Sequence, residues 1–191
     1  AFKELVLTPP SEAYVSEQLQ VPVDPQRVHA VCQQMQDQLA ARLHEDWAAA
    51  WEDNQITEGY RPEGMQSARR ALANLALAML VRDAARNANP IWPGKAYQRF
   101  KDAGNMTDRL GALGALVNAH SELAAPALAR FHELFRHEAL VVDKWFGLQA
   151  RTPEKDGRVF ANVRTLLQHP DFSMHNPNRV RSLLFSLCNF N

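Results

Sequence analysis

The sequence predicts an all-α fold of stacked antiparallel helix pairs, an α-solenoid of the superhelical, HEAT-like kind. Three observations support this: apolar residues recur at three- and four-residue steps, capping residues and prolines stand where such segments begin, and no stretch alternates with a period of two between hairpin turns. The helix pairs recur about every 30–40 residues, which is typical of helical repeats. A compact helical bundle is the alternative that this pattern leaves open.

Two long helices are predicted in the first half of the chain. The first covers residues 24–51, because Asp24 is a suitable N-cap and Pro25 suits the first helical position. One apolar stripe then runs along it through Val28, Cys32, Met35, Leu39, Leu43, Trp47 and Trp51. The second helix covers residues 66–87 and is rich in alanine and leucine around most of its circumference. It is therefore predicted to be central and buried.

Six shorter helices complete the prediction. In chain order they are a helix at 94–103, one capped around Asn105, one that Pro126 begins, one at 141–149, one between Pro153 and His169, and a last one that Asn178 caps. Their apolar faces are predicted to include Leu134, Phe160 and the stripe Val180, Leu183, Leu184 and Leu187. Residues 1–191 are thus predicted to be one all-helical segment.

Composition excludes several classes of partner. Twenty-one basic residues balance twenty-one acidic ones, which argues against binding to nucleic acid or to an anionic membrane surface. The longest apolar run, 71–81, is much shorter than the ~20 residues of a membrane span, and residues 1–4 do not begin a signal peptide. Cys32 and Cys188 lie far apart and are predicted to be free thiols. We therefore expect a soluble, cytoplasmic monomer.

The pair His132 and His137 brackets the segment that most resembles a zinc-binding helix. A zinc-protease helix needs His-Glu-x-x-His, because histidines four residues apart lie only about 40° from each other around the helix. The spacing here is five, which places the rings about 140° apart. His44-Glu45 begins the same motif, but Ala48 stands where the second histidine would be. No metal site is predicted, and solvated histidines on helix faces are the preferred interpretation.

Other catalytic motifs are also missing from the sequence. There is no Gly-x-Ser-x-Gly, no Cys-x-x-Cys and no glycine loop that could hold phosphate. Most carboxylates alternate with Arg and Lys, as on a solvated helix surface. No helix concentrates basic residues at its N-terminal turn, which argues against a DNA-binding helix-turn-helix. No catalytic residue is therefore predicted.

The segment 176–182, Asn-Pro-Asn-Arg-Val-Arg-Ser, is the least ordinary part of the sequence. On a helical wheel, Arg179 and Arg181 fall on opposite margins of the stripe that contains Val180, so they cannot serve one pocket equally. An arginine near a helix N-terminus suits a carboxylate partner. That carboxylate could belong to a ligand or to an ion pair within the domain, and the sequence leaves both possibilities open.

The same segment, together with 166–172 (Leu-Leu-Gln-His-Pro-Asp-Phe), resembles the C-terminal domain of the bacterial alanyl aminopeptidases, or aminopeptidases N, of the M1 zinc family. Two more stretches, 105–110 (Asn-Met-Thr-Asp-Arg-Leu) and 142–146 (Val-Asp-Lys-Trp-Phe), are similar to that domain in the same order. The start of the chain, 7–12, fits more loosely. The resemblance implies a helical segment of a large exopeptidase that removes N-terminal residues from peptides.

The resemblance also implies where the chemistry of such an enzyme lies. The family's single zinc ion and its His-Glu-x-x-His and Gly-x-Met-Glu-Asn motifs belong to a catalytic domain, so this segment would carry no cofactor and no catalytic residue. Its expected role is to wall the substrate cavity, with Arg181, Arg179 and Asn176 lining it. Its expected partners are the catalytic domain of the same polypeptide and peptide substrates.

Two further expectations concern the extent of the chain. Family members continue with more helices, so a chain ending at Asn191 is expected to be a truncated or proteolytic fragment. The alternative from another functional class is a free-standing helical-repeat module for protein interactions. An open reading frame that extends upstream into a His-Glu-x-x-His segment would favour the aminopeptidase.

Overall fold

The computed structural model describes residues 2–20 and 22–190, and every regular element in these ranges is helical. This confirms the predicted all-α class. The helices group into two compact units, one reaching up to Ala119 and the other beginning at His120. The prediction of a single segment over 1–191 stays a prediction, and the expected truncation at Asn191 falls on a residue outside the described ranges.

The first unit contains seven helices: α1 (Phe2–Leu7), α2 (Glu12–Gln18), α3 (Pro25–Arg42), α4 (His44–Asp53), α5 (Gly64–Arg86), α6 (Ile91–Asp102) and α7 (Met106–Asn118). Helix α5 contacts α1, α3, α4, α6 and α7, and is therefore the centre of this unit. Consecutive helices also pack in pairs, α4 on α5 and α6 on α7.

Small residues allow the close packing around α5. Ala73, Ala76, Leu77 and Leu80 are fully buried on this helix, which confirms that it is central. On the facing helix α7, the α-carbon of Gly111 lies so close to the Asn74 side chain that an added Cβ would come within 2.5 Å of it. Burial of many small and branched apolar groups is the main contribution to the stability of such a core.

The predicted helix over 24–51 is in fact two helices, which corrects the prediction. Asp24 caps the first as expected, accepting hydrogen bonds from the main-chain N–H groups of Gln26 and Arg27. The break is at Leu43, whose φ of −107° and ψ of 26° are not helical. The Trp47 indole N–H donates to the Leu39 carbonyl at 3.0 Å, so it bridges the break. The apolar periodicity of the sequence continues through the break because the buried faces of the two helices follow one another without a shift in spacing.

The helix expected at 94–103 starts at Ile91, three residues earlier than predicted. Pro93 does not interrupt it, because N–H groups in the first turn of a helix have no partner within the helix. Asn105 caps α7 as predicted, accepting a hydrogen bond from the main-chain N–H of Asp108. Pro93 thus lies inside the first turn of α6.

The second unit contains α8 (Ala124–Phe135), α9 (Ala139–Ala150), α10 (Arg158–Leu166), α11 (Pro177–Val180), a π-helical turn (Arg181–Phe185) and α12 (Ser186–Phe190). Helix α9 contacts α8, α10, α11, α12 and the π-helical turn. Gly147 permits the close approach of this turn, because an added Cβ would lie 3.3 Å from the main-chain oxygen of Ser182. The chain therefore places the predicted Asn176–Ser182 segment directly against α9.

Several predicted details of the second unit are wrong. Asn176, rather than Asn178, caps the last helical segment. Leu134 and Phe160 are 44% and 59% exposed, so they are outside the core. In the stripe predicted for the last helix, Leu183 is fully buried, whereas Val180, Leu184 and Leu187 are only half-buried. The wider π-helical turn rotates the positions that follow it away from regular α-helical spacing.

Two predictions from composition concern the chain as a whole. Across the described ranges, no helix has the length and apolar character that crossing a bilayer requires. Cys32 is buried and Cys188 is exposed, and both are free thiols. Burial, with a smaller contribution from the Glu12 carboxylate, raises the pKa of the Cys32 thiol. The Cys32 thiol is therefore less reactive than an ordinary thiol, because the thiolate is the reactive species.

Candidate functional site

The Asn176–Ser182 segment starts with a side-chain cap. The Asn176 amide oxygen accepts hydrogen bonds from the main-chain N–H groups of Asn178 and Arg179, at 3.1 and 3.2 Å. Pro177 then occupies the first helical position, where its missing N–H costs nothing. The cap fixes the direction of α11 and, with it, the directions of the two arginines.

Arg179 points into the second unit and is 5% exposed. Its Nε donates to the Asp143 carboxylate at 2.6 Å, and its Nη1 donates to the main-chain oxygen of Asp171. The guanidinium also lies over the Phe146 ring, 5.0 Å from the ring centre. The carboxylate partner that the sequence analysis expected for an arginine here is thus Asp143 of the same chain.

Arg181 points the other way and is exposed. Within residues 2–20 and 22–190, its guanidinium makes no hydrogen bond or ion pair. Asn176 is also exposed, and its side-chain oxygen is used by the cap. The opposite orientations of Arg179 and Arg181 agree with the helical-wheel argument. The prediction that these three residues line a substrate cavity stays a prediction.

A second group of polar side chains lies close to Arg179. His132 on α8 contacts Asp171 in the loop after α10, with 2.6 Å between Nε2 and the carboxylate Oδ2. His169 is in the same loop, and its Nδ1 lies 3.8 Å from the same Oδ2. One potential metal-binding atom from each of the three residues lies within 4.8 Å of the other two. This His132–His169–Asp171 group joins a helix to a loop.

Aromatic rings hold the two imidazoles of this group in place. The Trp145 ring centre lies 4.9 Å from that of His132 and 5.2 Å from that of His169. Phe146 packs edge-on against His169 at 5.7 Å. Burial among these rings lowers the pKa of His169, and this effect exceeds the opposing one of the Asp171 carboxylate. His169 is therefore held in its neutral form at neutral pH.

This group was not predicted, because helical spacing relates His132 only to residues of its own helix. Helix α8 ends at Phe135, so His137 lies beyond it and is exposed. The true neighbours of His132 come about forty residues later and from a different element. The only signal in the sequence is His169-Pro170-Asp171, which lies within the stretch 166–172 that resembles the aminopeptidase family.

The first unit has a surface cleft of about 530 Å³. Its walls include Trp51, Tyr60, Lys95, Arg99 and Asp108. Lys95 lies over the rings of Trp51 and Trp92, and Arg99 pairs with Asp108 at 3.0 Å. Arg99 and Asp108 are therefore engaged with each other, and Lys95 with aromatic rings. This arrangement provides a mixed polar surface and no nucleophile with an adjacent base.

A family model described as "Domain of unknown function (DUF3458_C) ARM repeats" matches residues 1–191. The chain belongs to this ARM-repeat family. The match agrees with the predicted stack of helix pairs, since ARM repeats are a helical-repeat architecture. It also extends over both compact units, so the family spans all of the ranges described above.

Curated relatives of this ARM-repeat chain are called Aminopeptidase N. The protein from Caulobacter vibrioides is 34% identical over 191 residues, which are all of this chain and 21% of that protein. The Haemophilus influenzae and Escherichia coli proteins are 33% and 35% identical and cover 98% and 94% of this chain. The chain spans about a fifth of the length of these relatives.

A solved structure agrees with this relationship. The crystal structure of Legionella pneumophila aminopeptidase A in complex with aspartic acid has a TM-score of 0.80 and 26% identity to the ARM-repeat chain. The match covers 96% of this chain and 22% of the Legionella chain. The resemblance noted from the sequence, to the C-terminal helical segment of M1-type aminopeptidases, is confirmed.

Proposed function

We propose that this chain is the non-catalytic helical wall of a zinc aminopeptidase that removes N-terminal residues from peptides. Its role is to restrict access to the active-site cavity and to contact the catalytic domain of the same polypeptide. The similarity of the entire chain to about a fifth of aminopeptidase N supports this proposal. The parent enzyme belongs to the M1 family, holds one zinc ion and acts in the cytoplasm as a monomer.

The residues of this chain do not fit the catalytic zinc of such an enzyme. A site of that class uses two histidines one turn apart on a helix and a glutamate as general base. His132 instead has its Nε2 at Asp171, and His137 lies beyond the end of α8. His44 faces Asp83 at 2.8 Å, with Ala48 one turn later. No hydrolytic step is therefore assigned to a residue of this chain.

Arg181 is the residue that we propose to contact peptides. Its guanidinium is exposed, whereas the guanidinium of the neighbouring Arg179 donates hydrogen bonds to the Asp143 carboxylate and the main-chain oxygen of Asp171. An exposed guanidinium can form a bidentate pair with a carboxylate, such as the one at the C-terminus of a short peptide. Asn176 and Arg179 then support this contact by fixing the helix from which Arg181 extends.

The test uses the whole aminopeptidase polypeptide with Arg181→Ala. We expect kcat/KM for a tripeptide substrate to fall about tenfold, the loss of one charge-assisted hydrogen bond, which is worth about 1.5 kcal/mol. Hydrolysis of an alanyl anilide, which has no C-terminal carboxylate, should change by less than about twofold. Arg164→Ala, which removes another exposed arginine of the same unit, is the matched control. Equal losses for both substrates would contradict the proposal.

The free-standing interaction module is the competing hypothesis. It predicts a short open reading frame, whereas the proposed function predicts one that encodes a catalytic domain upstream. The proposed function also predicts that the 191-residue chain alone does not hydrolyse alanyl substrates. Turnover by this chain, in a preparation free of other peptidases, would overturn the assignment of a non-catalytic role.

A further inference from the structure

We propose that His132, His169 and Asp171 form a binding site for one divalent transition-metal ion of the Zn²⁺ type. Two imidazole nitrogens and one carboxylate oxygen are a ligand set that suits Zn²⁺, Co²⁺ and Ni²⁺ and discriminates against Mg²⁺ and Ca²⁺, which prefer oxygen. The fourth position is left to water. The site uses none of the residues assigned to peptide contact.

The distances within the group are suitable for a tetrahedral ion. Ligand atoms about 2.0–2.1 Å from Zn²⁺ lie about 3.3 Å from one another. The observed separations from Asp171 Oδ2 are 2.6 Å to His132 Nε2 and 3.8 Å to His169 Nδ1, which bracket this value. Metal binding therefore requires shifts of less than about 1 Å at these two edges, and the exposed Asp171 side chain can supply them.

The surroundings orient the ligands before any ion binds. The ring centres of His132 and His169 are 5.1 Å apart, with the planes at 79°, so the rings do not stack. Each ring places one nitrogen near Asp171 Oδ2. Trp145 packs against both imidazoles and Phe146 against that of His169, and the main-chain N–H of Asp171 donates to His169 Nδ1 at 3.1 Å. That hydrogen bond shows that the Nδ1 lone pair faces Asp171. Ligation at Nδ1 would replace it.

Arg179 is the nearby group that opposes a bound cation. Its charge is paired with Asp143 at 2.6 Å, and its Nη1 holds the main-chain oxygen of Asp171. The Asp171 carboxylate is thereby left directed toward the two histidines. An ion at this site would join α8 to the loop between α10 and α11.

The experiment is calorimetric titration of the full 191-residue chain, freed of metal with a chelator, with Zn²⁺ in a Cys188→Ser background that removes the exposed thiol. We expect one ion per chain, and Asp171→Asn should weaken binding at least tenfold because it removes the anionic ligand while keeping the side chain's shape. Co²⁺ should give the intense visible absorption of a tetrahedral ion with nitrogen and oxygen ligands. The variants His137→Ala and His175→Ala are matched controls, because both histidines are exposed and lie within five residues of a member of the group in the sequence.

Two results would overturn the proposal. One is the absence of stoichiometric binding by a chain whose circular dichroism is that of a folded helical protein. The other is an equal loss of affinity in Asp171→Asn and His175→Ala, which would show that Zn²⁺ binds scattered surface histidines. His132→Ala and His169→Ala should also lose binding, and Asp171→Asn decides the question if either of them fails to fold. Activity is not a readout here, so this test and that of the proposed function fail independently.

Discussion

The two compact units of this chain reach stability with different interiors. The first is organised around α5, where small and branched side chains such as Ala73, Ala76 and Leu80 are fully buried. The second is organised around α9, where Trp145 and Phe146 pack against other rings and Arg179 pairs with Asp143 below the surface. One interior depends on close helix approach, and the other on a few large groups with specific partners.

The two units also differ in how they hold polar groups. The first unit buries Arg70 and Asp83 on α5, at 3% and 6% exposure, but these two residues lie apart, and its pair of Asp37 with Arg82 is near the surface. The ring packing of the second unit accommodates an arginine, two carboxylates and two imidazoles within a few ångströms. The candidate metal site and Arg181 both lie in this second unit.

The largest expected effect is that of Phe146→Ala. Phe146 is fully buried and contacts the rings of Trp145, His169 and Phe172 as well as the Arg179 guanidinium. Its truncation should lower the free energy of unfolding by about 4 kcal/mol, measured by urea denaturation. Phe160→Ala is the control, since that ring is 59% exposed and should cost about 0.5 kcal/mol. Similar losses for both variants would contradict the role given to ring packing.

The second largest expected effect is the loss of stability when the carboxylate of a buried ion pair is removed, compared with that of an exposed pair. Asp143→Ala leaves the Arg179 charge buried and unpaired, which should cost about 3 kcal/mol. Asp37→Ala removes a carboxylate that is 25% exposed and pairs with Arg82 and Arg86, and should cost about 1 kcal/mol. The free energy of unfolding, measured by urea denaturation at low and high salt, distinguishes the two ion pairs, because salt weakens mainly the exposed one. If Asp37→Ala were the more costly variant, the comparison of the interiors would be wrong.

Enlarging a small residue in the first unit should have a smaller effect than Phe146→Ala or Asp143→Ala. Ala76→Leu adds volume at a fully buried position on α5 and should destabilise the chain by about 2 kcal/mol through overpacking. Ala41→Leu makes the same change at an exposed position of α3 and should be nearly neutral. Thermal denaturation of both variants tests this. A neutral Ala76→Leu would show that α5 is not closely packed.

Much of the fold could be predicted from the sequence because it depends on local signals. The caps at Asp24 and Asn105, the buried character of α5 and the all-helical class all follow from residue type and spacing. The break at Leu43 could not be predicted, since both helices keep the same apolar stripe. The cap at Asn176 was misplaced by two residues because asparagines on both sides of Pro177 suit that position.

The candidate site was predictable only in part. The sequence directed attention to Arg179 and Arg181 and separated them by helical geometry. It could not show that the carboxylate paired with Arg179 belongs to Asp143, thirty-six residues earlier. Sequence spacing also allowed only a comparison of His132 with His137. In space, the neighbours of His132 are Asp171 and His169.

The sequence by itself determined that this protein is helical, that it carries no His-Glu-x-x-His helix and that it is similar to the C-terminal part of an aminopeptidase. These properties depend on periodicity, spacing and motifs, which can be read along one chain. Only the tertiary structure decided which arginine is buried and that two histidines and an aspartate converge. Such groups are assembled by the packing of α8 and the loop after α10 around α9, and contacts between distant segments leave no regular spacing in the sequence.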